Sequence, residues 1–225
     1  SPLRLDDLTP RQIVAELGPA VQRAPQLHHV VEHFAGFFAE RLQFHLRMLG
    51  RGVMTAATEM VDVVDDDDRV IATVTRARMR AEVLQHRAVS IAVLGSDGRL
   101  LVHRRADTKD VWPGMWDIAA GGVVAAGETY DDAARRELAE ELGVTGVPLH
   151  YLGEGRYRDD AVALIGRGYT VVCDGPFVFT DGEIAEVRWV DRDDLETMLA
   201  SERFVPDNLA LLLPALPLPP SRRTQ

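Results

Sequence analysis

The chain has 225 residues, an apolar share of 46% and a formal net charge of −10. That length and composition suit one large domain, or a domain with an extension, able to bury a core. The acidic balance excludes a sequence-independent binder of duplex nucleic-acid backbone, yet it leaves room for a small anionic ligand held through a metal.

Residues 1–57 read as a helical extension. In "LTPRQIVAEL", Thr9 is a candidate N-cap and Pro10 suits the first helical position. "PQLHHVVEHFAGFFAERLQFHLRML" then spaces Val30, Phe34, Phe37, Phe38, Leu42 and Leu46 near the helical period. The Phe-rich face needs a cover, either the rest of the chain or a second copy, so a homodimer through these helices is an expectation. His29 and His33 stand four apart. No carboxylate motif accompanies them, and they read as surface or interface histidines rather than a metal pair. The start, "SPLRLDDLTPRQ", lacks a signal pattern and no apolar run reaches the length of a membrane span. A cytoplasmic protein without a membrane partner is the expectation.

The pattern changes from Glu59. "EMVDVV" and "RVIATV" read as two short strands around the acidic turn Asp65 to Asp68, which lacks the spaced ligands and central glycine of a calcium loop. "TRARMRAEVLQ" reads as a short helix. "RAVSIAVLGSDGRLLVHRR" reads as a hairpin turning at Ser96-Asp97-Gly98. After the loop "ADTKDVWPGMW" comes "GGVVAAGETYDDAARRELAEELGV", a glycine-rich lead-in to a helix starting near Thr129. Strands are expected at "LHYLGEG", "ALIGRGYTVVCDG" and "AEVRWVD", and helices at "RDDLETMLA" and "PDNLALLL". The single cysteine, Cys173, rules out an internal disulfide and reads as a structural thiol in an apolar strand. Residues 215–225, ending "PLPPSRRTQ", read as a disordered tail. Strands and helices mix without regular βαβ alternation, so the fold class is α+β, a layered α/β/α sandwich of mixed sheet and helices.

The glutamates of the central helix pose a physical problem. Ala134, Leu138 and Leu142 form its apolar stripe, and Asp131 and Asp132 suit the positive end of its dipole. Glu137, Glu140 and Glu141 fall at i, i+3 and i+4 on one side, near the negative end. Like charges four apart cost roughly 0.2–0.5 kcal/mol per pair. Arg136 is the one well-placed cation on the same helix, and one arginine cannot neutralise three carboxylates. A solvated acidic face is the bland reading. Gly121 and Gly122, which let backbone approach a ligand closely, tip the balance toward a hard divalent cation, Mg²⁺ or Mn²⁺.

These residues are similar to the signature of the Nudix hydrolase superfamily: Gly122, five residues, Glu128, seven residues, then "RELAEELGV" from Arg136 to Val144. "VDVVDDDDRVIATVTRARMRAEVLQHRAV", "LLVHRRADTKDVWPGMWD" and "VRWVDRDDL" extend the resemblance over residues 59–213, toward the branch near the isopentenyl-diphosphate isomerases. It implies a Nudix domain over residues 58–214. It also implies Mg²⁺-dependent hydrolysis of a diphosphate bridge in a nucleoside-diphosphate-linked or related small molecule. By the same resemblance Glu137, Glu140 and Glu141 are metal ligands, a carbonyl at Gly121 or Gly122 adds a contact, and Arg136 pairs with Glu128 to hold the loop. A later glutamate assists as ligand or base. Glu183 is favoured over Glu186 by its spacing before Trp189, and Glu141 is the other candidate base.

Arg104 and Arg105 are candidate phosphate contacts and Trp112 a candidate substrate contact, while Trp116 reads as core and Lys109 as a neighbour of the site. One departure separates the branches. The isomerases need a cysteine just before the glycine that opens the box and a histidine just after it; here Gly121 and Val123 stand there. Isomerase activity is therefore disfavoured. The remaining alternative is a binding or regulatory module that keeps the fold and turns over poorly.

Overall fold

The computed structural model describes residues 56–179 and 182–220. The expected helical extension, its Phe face, His29 and His33 and the homodimer contact they suggested lie outside these residues. After a 3₁₀ turn at Ala56–Thr58, strands β1 (Met60–Val64) and β2 (Val70–Thr75) form an antiparallel hairpin over the Asp65–Asp68 turn. Helix α1 (Arg76–Ala81) follows, its first turn capped by the Thr75 side chain. Strands β3 (His86–Leu94), β4 (Leu100–Arg105), β5 (Trp116–Asp117) and β6 (Ala120–Val123) lead into helix α2 (Tyr130–Leu142). The chain closes with β7 (His150–Arg158), β8 (Ala163–Val172), β9 (Ile184–Val190) and helices α3 (Arg192–Ser201) and α4 (Pro206–Leu212).

Strand β3 is the hinge of the architecture. Eight of its nine residues are buried, so both faces are covered. Val89, Ile91 and Val93 share a core with Leu138 and Leu142 of α2. The opposite face carries Ala92 and Leu94, packed in a second core with Leu212 of α4. Period-two alternation thus sends one strand's side chains into two layers, the condition for a sheet sandwiched between helices. Along its edges β3 runs parallel to β8 from His86↔Leu164 to Leu94↔Val172, and antiparallel to β6 from Ala88↔Val123 to Ile91↔Ala120.

That arrangement corrects the expected hairpin. The turn at Ser96-Asp97-Gly98 forms, with Gly98 at φ +83. The two strands, however, pair only at Leu94↔Leu100 before they part. Beyond the turn β4 pairs with β9 and β5 instead. The physical reason is burial: Leu100 to His103 are all buried, and strands apolar on both faces are satisfied better by two partners in two layers than by one hairpin.

The tail reading is also revised for its first residues. Residues 216–220 are described, and Leu216 and Leu218 are buried in the same core as Leu195 and Phe204. Arg192 donates to the carbonyls of Leu218 and Pro219, at 3.0 and 2.8 Å. Two leucines among the prolines are enough to fasten a segment that composition alone marks as frayed. Among the described residues, no helix is long and apolar enough to cross a membrane.

Candidate active site

Helix α2 starts where the sequence places it. Thr129 is the N-cap: its hydroxyl oxygen accepts the Asp132 amide at 3.2 Å and its hydroxyl donates to the Asp132 carboxylate at 2.7 Å. Gly143 ends the helix at φ +67, with its amide on Ala139 and the Val144 amide on the Leu138 carbonyl. Ala134, Leu138 and Leu142 are buried against the sheet as the stripe requires. This packing turns the acidic side of the helix toward the strand β6 that carries Gly121 and Gly122.

The three glutamates do not sit in water. Glu137 and Glu141 are buried and Glu140 is partly buried. The carboxylate of Glu137 lies so close to Gly122 that a Cβ there would be 2.4 Å from its Oε1. Glu141 accepts the Gly121 amide at 3.1 Å. Burial pushes all three carboxyls above the ordinary range; Glu137 adds to the rise at Glu141, while Arg136 pulls Glu137 and Glu140 down and Lys109 pulls Glu141 down.

Arg136 is the organising cation. It donates from Nε and Nη2 to both oxygens of Glu128 at 2.9 Å, from Nη1 to Glu137 at 2.7 Å and Glu140 at 3.1 Å, and from Nη2 to the Val123 carbonyl at 3.1 Å. Glu128 in turn accepts the Ala125 amide at 3.0 Å. The guanidinium thus ties the loop to the helix. Replacing it leaves buried carboxylates without their counter-charge. We expect Arg136→Ala to lose about 3 kcal/mol of stability, and Arg136→Lys, which cannot make the bidentate pair, to lose part of that. Urea denaturation of both variants checks this, and an unchanged midpoint in Arg136→Ala would refute it.

Lys109 closes the other side. Its ammonium pairs with Glu183 and stands 4.0 Å from Glu141, so the loop before β5 and the turn before β9 meet the box helix there. The Glu183 carbonyl also accepts the Ala106 amide at 2.8 Å. Glu186, by contrast, is exposed and paired with Arg188 at 2.7 Å. Of the two later glutamates, Glu183 is the one placed beside the box.

Arg104 and Arg105 are engaged elsewhere. Arg105 donates to the Val111 carbonyl at 3.0 Å and lies 3.7 Å from the buried Asp117, so it braces the loop from within. Arg104 pairs with Asp107 at 3.3 Å. Trp112 has φ +54 and packs with Val111, Ala88, Val162 and Leu164. Trp116 is core, stacked under Arg188.

Residues that the sequence reading passed over come from α1. Arg76 pairs with Glu59 at 3.0 Å and its charge reaches Glu137. Arg80, one turn on, lies 3.8 Å from Asp110. Their i, i+4 spacing around the buried Met79 was the available signal.

A mixed sheet closed between two helices, with acidic side chains buried where one helix meets a glycine strand, is the frame of a Nudix-type hydrolase. The model of the NUDIX domain matches residues 84–210. The Nudix hydrolase YfcD of Escherichia coli (strain K12) is 41% identical over 157 residues, covering 70% of this chain and 86% of its own. SCO1686, a Nudix hydrolase of Streptomyces coelicolor, is 40% identical over 168 residues, covering 71% of this chain and 89% of its own. The crystal structure of DR0079 from Deinococcus radiodurans shares the fold with a TM-score of 0.61 at 27% identity, covering 70% of this chain and 99% of that one. The chain belongs to the Nudix family, and with it to the hydrolases of pyrophosphate bonds in nucleoside diphosphate derivatives.

Proposed function

We propose that the chain hydrolyses the diphosphate bridge of a nucleoside-diphosphate-linked or related small molecule, with Mg²⁺ (or Mn²⁺) held by Glu137, Glu140 and Glu141 and by the Gly122 carbonyl. The observation that carries the reading is the burial of Glu141 beside Glu137, with the cations of Arg136 and Lys109 on either side. Among the described residues no three ligand side chains converge into a ready cage. The donor set nonetheless fits Mg²⁺, which keeps waters and is bound by one or two carboxylates together with substrate phosphates. Such an ion supplies charge for the phosphate oxygens and acidifies a bound water.

The chain's own groups divide the remaining work. Glu141, fixed by the Gly121 amide, holds a set position, whereas the Glu183 side chain is 42% exposed and can meet entering water. Glu183 is the proposed general base. Water adds to phosphorus, its proton passes to Glu183, and the bridging P–O bond breaks to leave two phosphate-bearing products. The Lys109 ammonium, beside Glu183 and 4.0 Å from Glu141, would hold a phosphate oxygen of the bridge. Arg136 keeps the glutamates in place without touching substrate.

The test is product release from nucleoside di- and triphosphates, dinucleotides, nucleotide sugars, coenzyme A and isopentenyl diphosphate in the presence of Mg²⁺. The Glu140→Gln protein serves as control. Cleavage by the parent with loss on chelation and in the variant is the expected result. Metal binding without any turnover would point to the binding module. Conversion of isopentenyl diphosphate would restore the isomerase.

A further inference from the structure

Asp117 is a buried acid that the proposed chemistry does not use. It is 1% exposed, and burial pushes its carboxyl up to about 7 while Arg105 pulls it down. A carboxylate taken out of water needs partners, and those of Asp117 lead in two directions. Its Oδ1 accepts the Asn208 side-chain amide at 2.8 Å and the Ala119 backbone amide at 3.2 Å. The oxygen of the same Asn208 amide accepts the hydroxyl of Ser90, which is also buried. On the other side, Asp117 Oδ2 stands 3.7 Å from Arg105 Nη1. Both lines end beside the acidic site. Ser90 lies on β3 across from Gly121, whose amide donates to Glu141 at 3.1 Å. Arg105 donates from Nε and Nη2 to the Val111 carbonyl at 3.3 and 3.0 Å. Val111 is two residues beyond Lys109, whose amide donates back to the Ala106 carbonyl at 3.2 Å. The Ala106 amide is tied in turn to the Glu183 carbonyl at 2.8 Å. The backbone carrying Lys109 is therefore held at both ends, and Arg105 is the hold at Val111.

We propose that Asp117 is a positioning residue of the hydrolase. Through Arg105 it fixes the Val111 end of the loop, and so sets where the Lys109 ammonium meets a phosphate oxygen. Asn208 locks Asp117 to the strand opposite Gly121, because an amide can accept from Ser90 and donate to Asp117 at once. Without the carboxylate, the Arg105 guanidinium loses the charge that holds it inside, and the Val111 carbonyl loses a fixed donor. A lysine at position 105 keeps the charge but not the fork that grips the carbonyl. The proposal rests on the hydrolase reading for the role of Lys109, although the brace itself does not.

A double-mutant cycle tests it, on the Mg²⁺-loaded full chain with the diphosphate compound it cleaves best. Asp117→Asn keeps the oxygen that Asn208 and Ala119 bond and replaces the one facing Arg105. Arg105→Lys cuts the next link, and each is also combined with Lys109→Ala. Either single variant should raise KM about tenfold, the size of one lost charge-assisted contact, with kcat within about twofold. Neither should add to the KM of Lys109→Ala, since the residue they position is already gone. A merely structural role moves the melting temperature and the active fraction, leaves KM alone and adds to the effect of Lys109→Ala. An unchanged KM in both variants, or effects that add to Lys109→Ala, overturns the proposal and leaves the hydrolase standing. If the parent protein cleaves nothing, the hydrolase reading fails and calorimetric titration with Mg²⁺ and inorganic pyrophosphate runs the same cycle. Binding that weakens about tenfold in Asp117→Asn, but no further in the Lys109→Ala background, upholds the brace. Unchanged, additive or absent binding overturns it.

Discussion

Glu141→Gln should cut turnover about 10³-fold and, in metal-free protein near pH 8, raise the melting temperature. The two effects share one cause. Glu141 is buried and its carboxyl is pushed well above the ordinary 4.5, first by burial and next by the charge of Glu137. That direction already includes the attraction of Lys109 and the bond from Gly121, so the folded site prefers a neutral group. Gln supplies one of nearly the same shape. The loss of activity should be about 10³-fold, equivalent to ~4 kcal/mol of barrier.

The pH dependence follows from the same shift. An acid whose folded pKa is raised binds its proton more tightly in the folded state, so stability falls as pH rises from the unfolded value. For Glu137, pushed up to about 7 mainly by burial, the metal-free wild type should lose stability between about pH 4.5 and 7. Above that window the share due to Glu137 is complete. In Glu141→Gln the slope should flatten, because one carboxylate is gone and its neighbour is relieved of repulsion. Mg²⁺ at pH 8 should stabilise the wild type more than the variant. Melting curves at pH 5 and pH 8, with and without Mg²⁺, measure all of this. A variant less stable than wild type at pH 8, or one with normal turnover, would sink the account.

How far the sequence revealed the site depended on whether contacts were local. The box helix was legible to the residue, because Thr129, Leu138 and Gly143 act through neighbours three and four positions away. Arg136 reaches Glu140, four positions on, by the same geometry, whereas its pair with Glu128, eight positions back, was expected only from the resemblance. Most strands were found as segments, though β5 and β6 read as loop and lead-in; the β3–β4 hairpin pairs only at Leu94↔Leu100, and the long parallel pairing of β3 with β8, far along the chain, was not legible. Arg105 illustrates a second limit. A basic residue at a strand end near an acidic site looks like a phosphate contact, and only the register that puts Asp117 across from His103 shows the guanidinium turning inward. The α1 arginines were invisible for the same reason. Arg76 meets Glu59 at 3.0 Å and Arg80 stands 3.8 Å from Asp110 only through the fold, with nothing in local sequence to connect them.

The paired glycines at the start of the box should respond to alanine in opposite ways. A Cβ on Gly121 would lie 2.1 Å from the Val89 carbonyl oxygen, 3.0 Å from the Val89 carbonyl carbon and 3.1 Å from Ser90 Cα, all backbone. Nothing there can swing aside, so β6 must move off β3 at Ser90↔Gly121. Gly121→Ala should cost about 3 kcal/mol or more, the upper end of overpacking, and lower the melting temperature by several degrees at least. The three atoms nearest a Cβ on Gly122 all belong to the Glu137 carboxylate, with Oε1 at 2.4 Å. That is the far end of a flexible side chain. Gly122→Ala should therefore fold with a loss of about 1 kcal/mol or less and yet lose most of its activity, because the glutamate is displaced. The contrast also bears on the isomerase alternative. A cysteine at position 121 carries the same Cβ, so Gly121→Cys should be as unstable as Gly121→Ala and gain no isomerisation. Denaturation midpoints and turnover of the three variants, measured side by side, decide it. Equal stability of the two alanine variants would mean that β6 can shift freely against β3, and the backbone contact would then not be what keeps cysteine out.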